Sequence, residues 1–314
     1  MIIRFWGVRG SIPTPLTPDE IRRKISAVVA RITAQDIESS DARERFLSQL
    51  PPALFGTAGG NTTCVEVRLN DNTVILFDAG TGISRFSQAA AREQPEPKEF
   101  HLFFTHFHWD HIQGFPFFNP QGFDKGCTIH IYSPRDDAEK ILRNQMKDPY
   151  FPITMDILQA DIQFHHLKEK EIAIGPARVA WRKMQHPGTS FAYKVKAGEG
   201  AFIFATDTEL KPDDFARTKD NWDFFSKVDV LAIDSQYTLD EAIEKYDWGH
   251  SSYSLAVDFA SEWKIEKLVL FHHEPLYNDN KMFTIENTAR WYMSHVGKEK
   301  IGIFLAQEGL EIRI

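Results

Sequence analysis

The sequence predicts an α/β protein, because short apolar segments recur along the chain and amphipathic segments lie between some of them. The short segments are rich in β-branched and aromatic residues, as buried strands are. The longer ones place apolar residues at helical spacing. Chains that mix the two patterns form sheets covered by helices. The predicted strands are Ile2–Trp6, Cys64–Leu69, Thr73–Phe77, His101–Thr105, Thr128–Tyr132, Arg178–Trp181, Ala192–Val195, Phe202–Ala205, Val230–Ile233, Leu268–Phe271 and Ile301–Leu305. The predicted helices are Pro134–Asn144, Asp240–Tyr246, Ser251–Trp263 and Ile285–His295.

One segment, Thr17–Leu54, interrupts this alternation because it shows no strand pattern. Thr17, Pro18 and Glu20 supply an N-cap, a first-turn proline and a capping-box acid. Apolar residues then recur on one helical face: Ile21, Ile25, Val28, Val29 and Ile32. A second helix is predicted to begin at Asp41. We therefore predict a helical hairpin inserted into a single domain, 1–314. Its apolar face packs on that domain, contacts a second copy of the chain or covers the active site.

Composition limits the class of protein. With 36 basic and 44 acidic residues, the net charge is -8, and no basic run is long enough to follow a phosphate backbone. We therefore expect no large nucleic-acid footprint, although a nucleotide substrate is compatible with this charge. Cys64 and Cys127 are too few for a disulfide framework and are expected to be reduced. No leader peptide or membrane-length apolar run is apparent, so we expect a cytoplasmic protein without a membrane partner.

The most informative segment is 103–114, Phe-Phe-Thr-His-Phe-His-Trp-Asp-His-Ile-Gln-Gly. Three histidines and an aspartate follow an apolar strand at once, which is where α/β sheets place ligands. Ionisable side chains packed so closely need compensation, and a divalent metal supplies it. One ion cannot bind all of them, so two ions are predicted. The four candidate ligands are His106, His108, Asp110 and His111.

Further candidate ligands stand where other predicted strands stop: His186, Asp207 and His272. Each alone is also compatible with an ordinary turn residue. Their joint placement at strand ends favours a common site.

The string Thr105-His-Phe-His-Trp-Asp-His111 resembles the HxHxDH signature of the metallo-β-lactamase superfamily, and the other three ligands follow in that family's order. The resemblance covers nearly the whole chain. It implies a four-layer αββα sandwich with a two-metal centre at one edge of both sheets. Asp78 resembles the family's acidic residue that orients the metal loop. The implied ligands are His106, His108 and His186 for the first ion, Asp110, His111 and His272 for the second, and Asp207 as the bridge.

Trp248-Gly-His-Ser-Ser252 begins a predicted helix and resembles the His-Ser-Thr loop of the superfamily's phosphodiesterase branch, which includes tRNA 3′-endonucleases and cyclic-nucleotide phosphodiesterases. A histidine beside free amides can bind a phosphate oxygen and protonate a leaving alkoxide. The alternative is a helix-capping histidine without a catalytic role. Asp234 either orients His250 or caps a turn. The resemblance implies that Asp110 positions the attacking hydroxide and that His250 is the acid.

Several residues are weaker candidates for substrate contacts. Arg9 binds a phosphate or is structural, and Asn61 follows a glycine turn that could present backbone amides. Tyr150 stacks on a base or packs in the core. Ser251 and Ser252 flank the candidate acid.

We thus predict a metal-dependent phosphodiesterase that acts on a small phosphodiester such as a cyclic nucleotide, since no basic arm for tRNA is apparent. Nitrogen and carboxylate ligands fit Zn first, with Mn or Fe as alternatives. Three other functions stay open: a thioesterase or lactonase that does not need His250, an RNA 3′-processing endonuclease, and a non-enzymatic metal-binding or sensor module. A homodimer is a further open alternative.

Overall fold

A computed structural model describes residues 1–296 and 300–314. Within them, two seven-stranded sheets pack face to face, and helices lie on the outer faces. This arrangement confirms the predicted αββα sandwich. Among the described residues, no helix is both long and apolar enough to cross a membrane.

The eleven predicted strands are all present with bounds within a few residues of the prediction, and the structure adds elements that were not predicted. The strands are β1 (Ile2–Gly7), β2 (Cys64–Arg68), β3 (Val74–Phe77), β4 (Glu99–Phe103), β5 (Thr128–Ser133), β6 (Asp161–His166), β7 (Glu171–Ile174), β8 (Ala177–Met184), β9 (Ser190–Ala197), β10 (Gly200–Ala205), β11 (Val230–Asp234), β12 (Lys267–Phe271), β13 (Gly302–Leu305) and β14 (Glu311–Arg313). The α-helices are α1 (Pro18–Val29), α2 (Ser40–Ser48), α3 (Pro52–Phe55), α4 (Gly82–Ala90), α5 (Trp109–Ile112), α6 (Ala138–Gln145), α7 (Pro212–Phe215), α8 (Lys219–Phe225), α9 (Leu239–Glu244), α10 (Tyr253–Glu262) and α11 (Asp279–Val296).

The two sheets share one pattern of strand directions. The first has the order β14-β1-β2-β3-β4-β5-β6, antiparallel as far as β3 and parallel from β3 onward. The second has the order β13-β12-β11-β10-β9-β8-β7, parallel from β13 to β10 and antiparallel beyond. Strands β8 and β10 are both antiparallel to β9, so they run in the same direction. The carboxyl ends of β8, β10, β11 and β12 therefore share one edge.

Aromatic rings fill the space between the sheets. Strand β3 is buried along its whole length because helices cover one of its faces and the second sheet covers the other. The ring of Phe77 lies within this layer of rings between the sheets. Its centroid is 5.4 Å from that of Phe204, 5.5 Å from that of Tyr193 and 5.8 Å from that of Phe103. This packing holds together strand β4 and strand β10, which lead into the predicted ligands.

The segment 17–54 is helical as predicted, and helix α1 begins with the capping box formed by Thr17 and Glu20. Its apolar face, however, does not pack on the chain, since Ile25 and Val29 are 58% and 62% exposed. Lys24 anchors the helix instead, because its Nζ donates to Ala53 O and Gly56 O and pairs with a buried carboxylate. The prediction that this face packs on its own domain is therefore wrong. The pairing of the two helices as a hairpin and the formation of a homodimer stay predictions.

Strands β6, β7 and β14 and helices α4, α7 and α8 were not predicted from the sequence. Strands β6 and β7 form sheet edges; β6 carries polar residues at alternate positions and β7 has only four residues and begins with Glu171, so neither shows a long apolar run. Helix α4 begins at Gly82 and contains two serines, which weaken its intrinsic preference for a helix. Tertiary packing against the first sheet stabilises it.

Replacing Phe77 by alanine should lower the free energy of unfolding by about 3–5 kcal/mol, because the substitution leaves a cavity among rings that cannot collapse onto it. Urea denaturation followed by tryptophan fluorescence measures this loss. The exposed Phe55→Ala serves as the matched control and should change stability by less than about 0.5 kcal/mol. Equal losses in both variants would show that Phe77 is not central to the core.

Candidate metal centre

The predicted ligands meet at the edge of the sandwich where strands from both sheets end. His106 and the residues after it follow β4, His186 follows β8, and Asp207 follows β10. His272 comes directly after β12. Residues far apart in sequence are thereby brought together by strands that run in the same direction.

The first group of side chains contains His106, His108, His186 and Asp207, whose ligand atoms lie within 4.8 Å of one another. The Oδ2 atom of Asp207 is 3.7 Å from His106 Nε2 and 3.8 Å from His186 Nε2. His108 Nδ1 lies 3.1 Å from His186 Nε2. His108 is exposed whereas the other three are buried, so this group faces the solvent on one side.

The second group contains Asp110, His111 and His272, all of them buried and also within 4.8 Å of one another. The Oδ1 atom of Asp207 is 3.1 Å from His111 Nε2 and 3.2 Å from His272 Nε2. One oxygen of Asp207 thus faces each group. A carboxylate in this position can bridge two cations.

The donor set fits divalent transition metals. The Nε2 atoms of His106 and His111 are buried and have no hydrogen-bond partner, although carboxylate oxygens lie close to them. Burial lowers the pKa of His106 well below its ordinary value, so its imidazole is neutral and can donate a lone pair. Neutral imidazoles with carboxylates and without thiolates suit Zn and similar ions.

Asp78 orients the loop that carries the first ligands. It accepts hydrogen bonds from Thr105 N at 2.8 Å, from Thr105 Oγ1 at 2.7 Å and from His111 Nδ1 at 2.9 Å. Because Nδ1 of His111 donates to this carboxylate, Nε2 is left to face the second group. The position of Asp78 agrees with the orienting role that the sequence implies. Thr105 is a supporting residue that sequence analysis missed.

Three residues of the centre adopt left-handed backbone conformations, which are uncommon outside glycine. The φ angles are +60° at Asp78, +48° at Asp207 and +63° at His272. Each lies just after a buried strand, where the chain must turn sharply to direct its side chain into the centre. Such strain persists only where the surrounding structure enforces it, and it is concentrated at functional sites.

Gly249 fixes His186 and was also missed. His186 Nδ1 donates to Gly249 O at 2.9 Å, so Nε2 is the atom available as a ligand. Gly249 has φ +93°, and a Cβ there would lie 2.4 Å from His186 Nδ1. The only signal in the sequence was its place directly before His250.

His250 lies beside the second group, with its ring stacked on His272 at 5.0 Å. Its Nδ1 donates to Asp234 Oδ2 at 2.6 Å, which leaves Nε2 free. Burial lowers the pKa of His250, but the Asp234 carboxylate outweighs it and raises the pKa to about 9. Asp234 Oδ1 also accepts from Ser251 N at 3.1 Å. Asp234 therefore both orients the histidine and ties down the turn.

The structure argues against some of the weaker substrate contacts. The guanidinium of Arg9 is buried and donates to Gly59 O, Glu274 O and Tyr277 O, so it joins three loops and is not available to a phosphate. The hydroxyl of Ser251 lies between Thr208 O and Leu210 N, and Ser252 caps α10. Both serines therefore have structural roles.

Two other candidates lie on a groove of about 1010 Å³ beside the metal loop. Tyr150 is 77% exposed there and does not pack in the core. The side chain of Asn61 lines the same groove but donates to Glu308. Exposed rings of Trp109 and Phe117 also line it. This groove, called here the aromatic groove, offers flat apolar faces next to the ligands.

The chain resembles known proteins over most of its length. The family model described as Beta-lactamase superfamily domain matches residues 73–273. Ribonuclease Z of Oceanobacillus iheyensis is 25% identical over 294 residues, which cover 75% of this chain and 93% of that protein. Ribonuclease Z of Picrophilus torridus is 25% identical over 282 residues, 74% of this chain and 86% of that protein.

Solved structures share the fold. The metallo-beta-lactamase fold protein YhfI from Bacillus subtilis has a TM-score of 0.65 at 15% identity and covers 99% of this chain and 98% of its own. The short form of human tRNase Z has a TM-score of 0.61 at 16% identity and covers 100% of this chain and 99% of its own. At these identities, the likeness concerns the fold alone.

Replacing Asp78 by asparagine should weaken binding at the second group by about 10–100-fold, because the amide no longer holds His111 Nδ1 as a donor. Zinc titration against a competing chelator measures the affinity. Asp240→Asn, which changes an exposed carboxylate in helix α9, is the control and should bind as tightly as the unmodified protein. Unchanged affinity in Asp78→Asn would exclude the orienting role.

Proposed function

Because the chain belongs to the metallo-β-lactamase superfamily, we propose that it hydrolyses phosphodiesters at a two-metal centre. The observation that carries the proposal is the arrangement around Asp207, whose two oxygens face two separate groups of ligands, with His250 beside the second. Zinc is the proposed metal, and Mn or Fe are alternatives with the same donor preferences.

When bound, two such ions supply a strong nucleophile from water and neutralise charge on the phosphate. The side chains of the protein hold the reacting groups in position. Asp110 Oδ2 accepts from Ser11 N at 2.8 Å and lies 3.2 Å from His111 Nε2, so the carboxylate is fixed beside the second group, where it can orient the attacking oxygen. His250, fixed by Asp234, presents Nε2 to a departing oxygen and can protonate it. Release of an alkoxide from a phosphodiester needs this proton.

The proposed substrate is a phosphodiester near the 3′ end of an RNA. The curated relatives named Ribonuclease Z support this class, since they match over most of both chains. The aromatic groove supports it as well, because exposed rings stack unpaired bases without regard to sequence. An RNA substrate corresponds to the RNA 3′-processing alternative, which the net charge of the sequence disfavoured.

Charge on the surface is unevenly distributed, which removes the basis for expecting no large nucleic-acid footprint. Strands β8 and β9 carry cations on their outer face, in a groove of about 520 Å³. Arg178 and Lys196 lie directly opposite each other, an arrangement of like charges that is unfavourable without an anionic partner. Strand β8 leads from Arg178 toward the ligand His186. The basic strip is defined as Arg178, Arg182, Lys194 and Lys196.

A small phosphodiester such as a cyclic nucleotide is the second candidate. The net charge of -8 favours it, because the overall field repels a polyanion. Asp220 and Asp223 also line the groove of the basic strip and reduce its field. Thioesters are distinguished by the role of His250, since a thiolate leaves without a proton, whereas a lactone releases an alkoxide and is distinguished by a direct assay of its hydrolysis.

The His250→Ala variant should lose activity according to the leaving group. On an RNA substrate, whose leaving alkoxide must be protonated, we expect kcat to fall by about 10²–10⁴-fold. On bis(p-nitrophenyl) phosphate, whose phenolate leaves readily, the fall should be much smaller. Steady-state kinetics on both substrates, with the exposed His166→Asn as control, measures the ratio. Equal losses on the two substrates would assign His250 a structural role only.

Neutralising the basic strip distinguishes the two substrate classes. The double variant Arg178→Gln/Lys196→Gln should bind RNA more weakly and with a smaller salt dependence, because fewer counterions are released. Its kcat/KM on bis(p-nitrophenyl) phosphate should not change. The double variant Arg22→Gln/Arg23→Gln removes the same charge from helix α1 as a control. Hydrolysis of cyclic nucleotides but no RNA in the unmodified protein would favour the second candidate.

A further inference from the structure

A cluster of histidines lies in the first sheet, well away from the candidate metal centre. His101 on β4 and His130 on β5 are directly opposite in the parallel pairing of the two strands. Tyr132 and His165 are opposite each other on β5 and β6. Glu99 begins β4 whereas His106 lies beyond its carboxyl end, so the length of this strand separates the cluster from the candidate centre. The cluster lines a cavity of about 450 Å³.

We propose that Glu99, His101 and His130 form a third metal site, which binds a zinc-like divalent ion. The Oε1 atom of Glu99 is 3.5 Å from His101 Nε2 and 3.3 Å from His130 Nε2. Two ligand atoms bound to one tetrahedral zinc at about 2.0–2.1 Å lie about 3.3 Å apart. All three ligand atoms lie within 4.8 Å of one another. The Glu99 carboxylate therefore lies at ligand spacing from both imidazoles, whose rings are nearly parallel with centroids 5.0 Å apart, so binding of one ion by all three requires one ring to rotate.

Neighbouring groups hold both imidazoles by their other nitrogen. His101 Nδ1 lies 3.1 Å from the Tyr132 hydroxyl, and His130 Nδ1 lies 3.0 Å from His165 Nε2. Each of these partners can accept a hydrogen, which places the free lone pair of each ligand on Nε2. Metal-binding histidines are oriented by such a second hydrogen bond. The rings of Tyr132 and His165 stack at 4.6 Å and are thereby fixed in turn.

The two imidazoles of the proposed site are largely buried, whereas the carboxylate is exposed to the solvent. The side chains of His101 and His130 are only 11% and 16% exposed, whereas that of Glu99 is 64% exposed. The two imidazoles are therefore fixed within the protein, and the carboxylate closes the site from the solvent side. The cavity beside these side chains could supply water as a further ligand to a bound ion. The site joins β4 and β5 at the end of the sheet remote from His106.

The number of metal ions bound per chain tests the proposed third site without an activity assay. Protein stripped with a chelator is dialysed against a series of buffered Zn²⁺ concentrations, and bound metal is measured by mass spectrometry. We expect three ions per chain at saturation in the unmodified protein and two in Glu99→Gln and in His130→Asn. Tyr132→Phe should keep three sites but weaken one by about 10–100-fold, since it loses only the orienting hydroxyl.

His166→Asn is the matched control, because this exposed histidine on edge strand β6 bonds only Pro134 O within the described residues. The His166→Asn protein should still bind three ions. Glu99→Gln changes an exposed carboxylate, so folding should be unaffected and circular dichroism should match that of the unmodified protein. Saturation of the unmodified protein at two ions would overturn the proposal. Three ions in both Glu99→Gln and His130→Asn would also overturn it, because the third ion would then lie elsewhere.

Discussion

The carboxylate of Asp207 is the point on which the centre depends, because its two oxygens face two groups of imidazoles that come from different parts of the chain. It is fully buried, and nearby histidines hold its pKa well below the ordinary value despite that burial. A buried carboxylate is costly unless cations or donors surround it. The fold meets this condition by ending β4, β8, β10 and β12 at one edge.

Support for this arrangement comes from contacts one step away from the ligands. Asp78, Gly249 O and Asp234 each accept a hydrogen bond from Nδ1 of one histidine, which leaves the Nε2 atom of that histidine available. Three left-handed residues carry part of the conformational cost at the strand ends. Packing around Phe77 stabilises the strands against that strain. The geometry of the centre is thus a property of both sheets together.

The surroundings of the centre differ in chemistry from side to side. Exposed aromatic rings lie beside the metal loop, and the basic strip follows the outer face of β8 and β9. The net charge of -8 gives no indication of that strip, because acidic residues outnumber basic residues over the whole chain. Strand β4 carries chemistry at both ends, with His106 beyond its carboxyl end and Glu99 at its start. Two metal-binding chemistries can therefore share one strand without sharing a ligand.

Much of the site could be predicted from the sequence, because His106, His108, Asp110 and His111 are close along the chain and the other ligands each follow a recognisable apolar strand. The α/β class followed from the predicted strands and helices, and the αββα arrangement was implied by the resemblance to a known family. Only the tertiary structure decided what depends on contacts between distant residues. It showed that Asp207 faces two groups, that Arg9 is occupied by three carbonyls, and that Asp234 holds His250. The tertiary structure also showed that the apolar face of α1 is exposed to solvent and that His101 and His130 lie side by side on neighbouring strands. Periodicity reports which residues share a face of one element, but strand register and sheet order determine which elements meet.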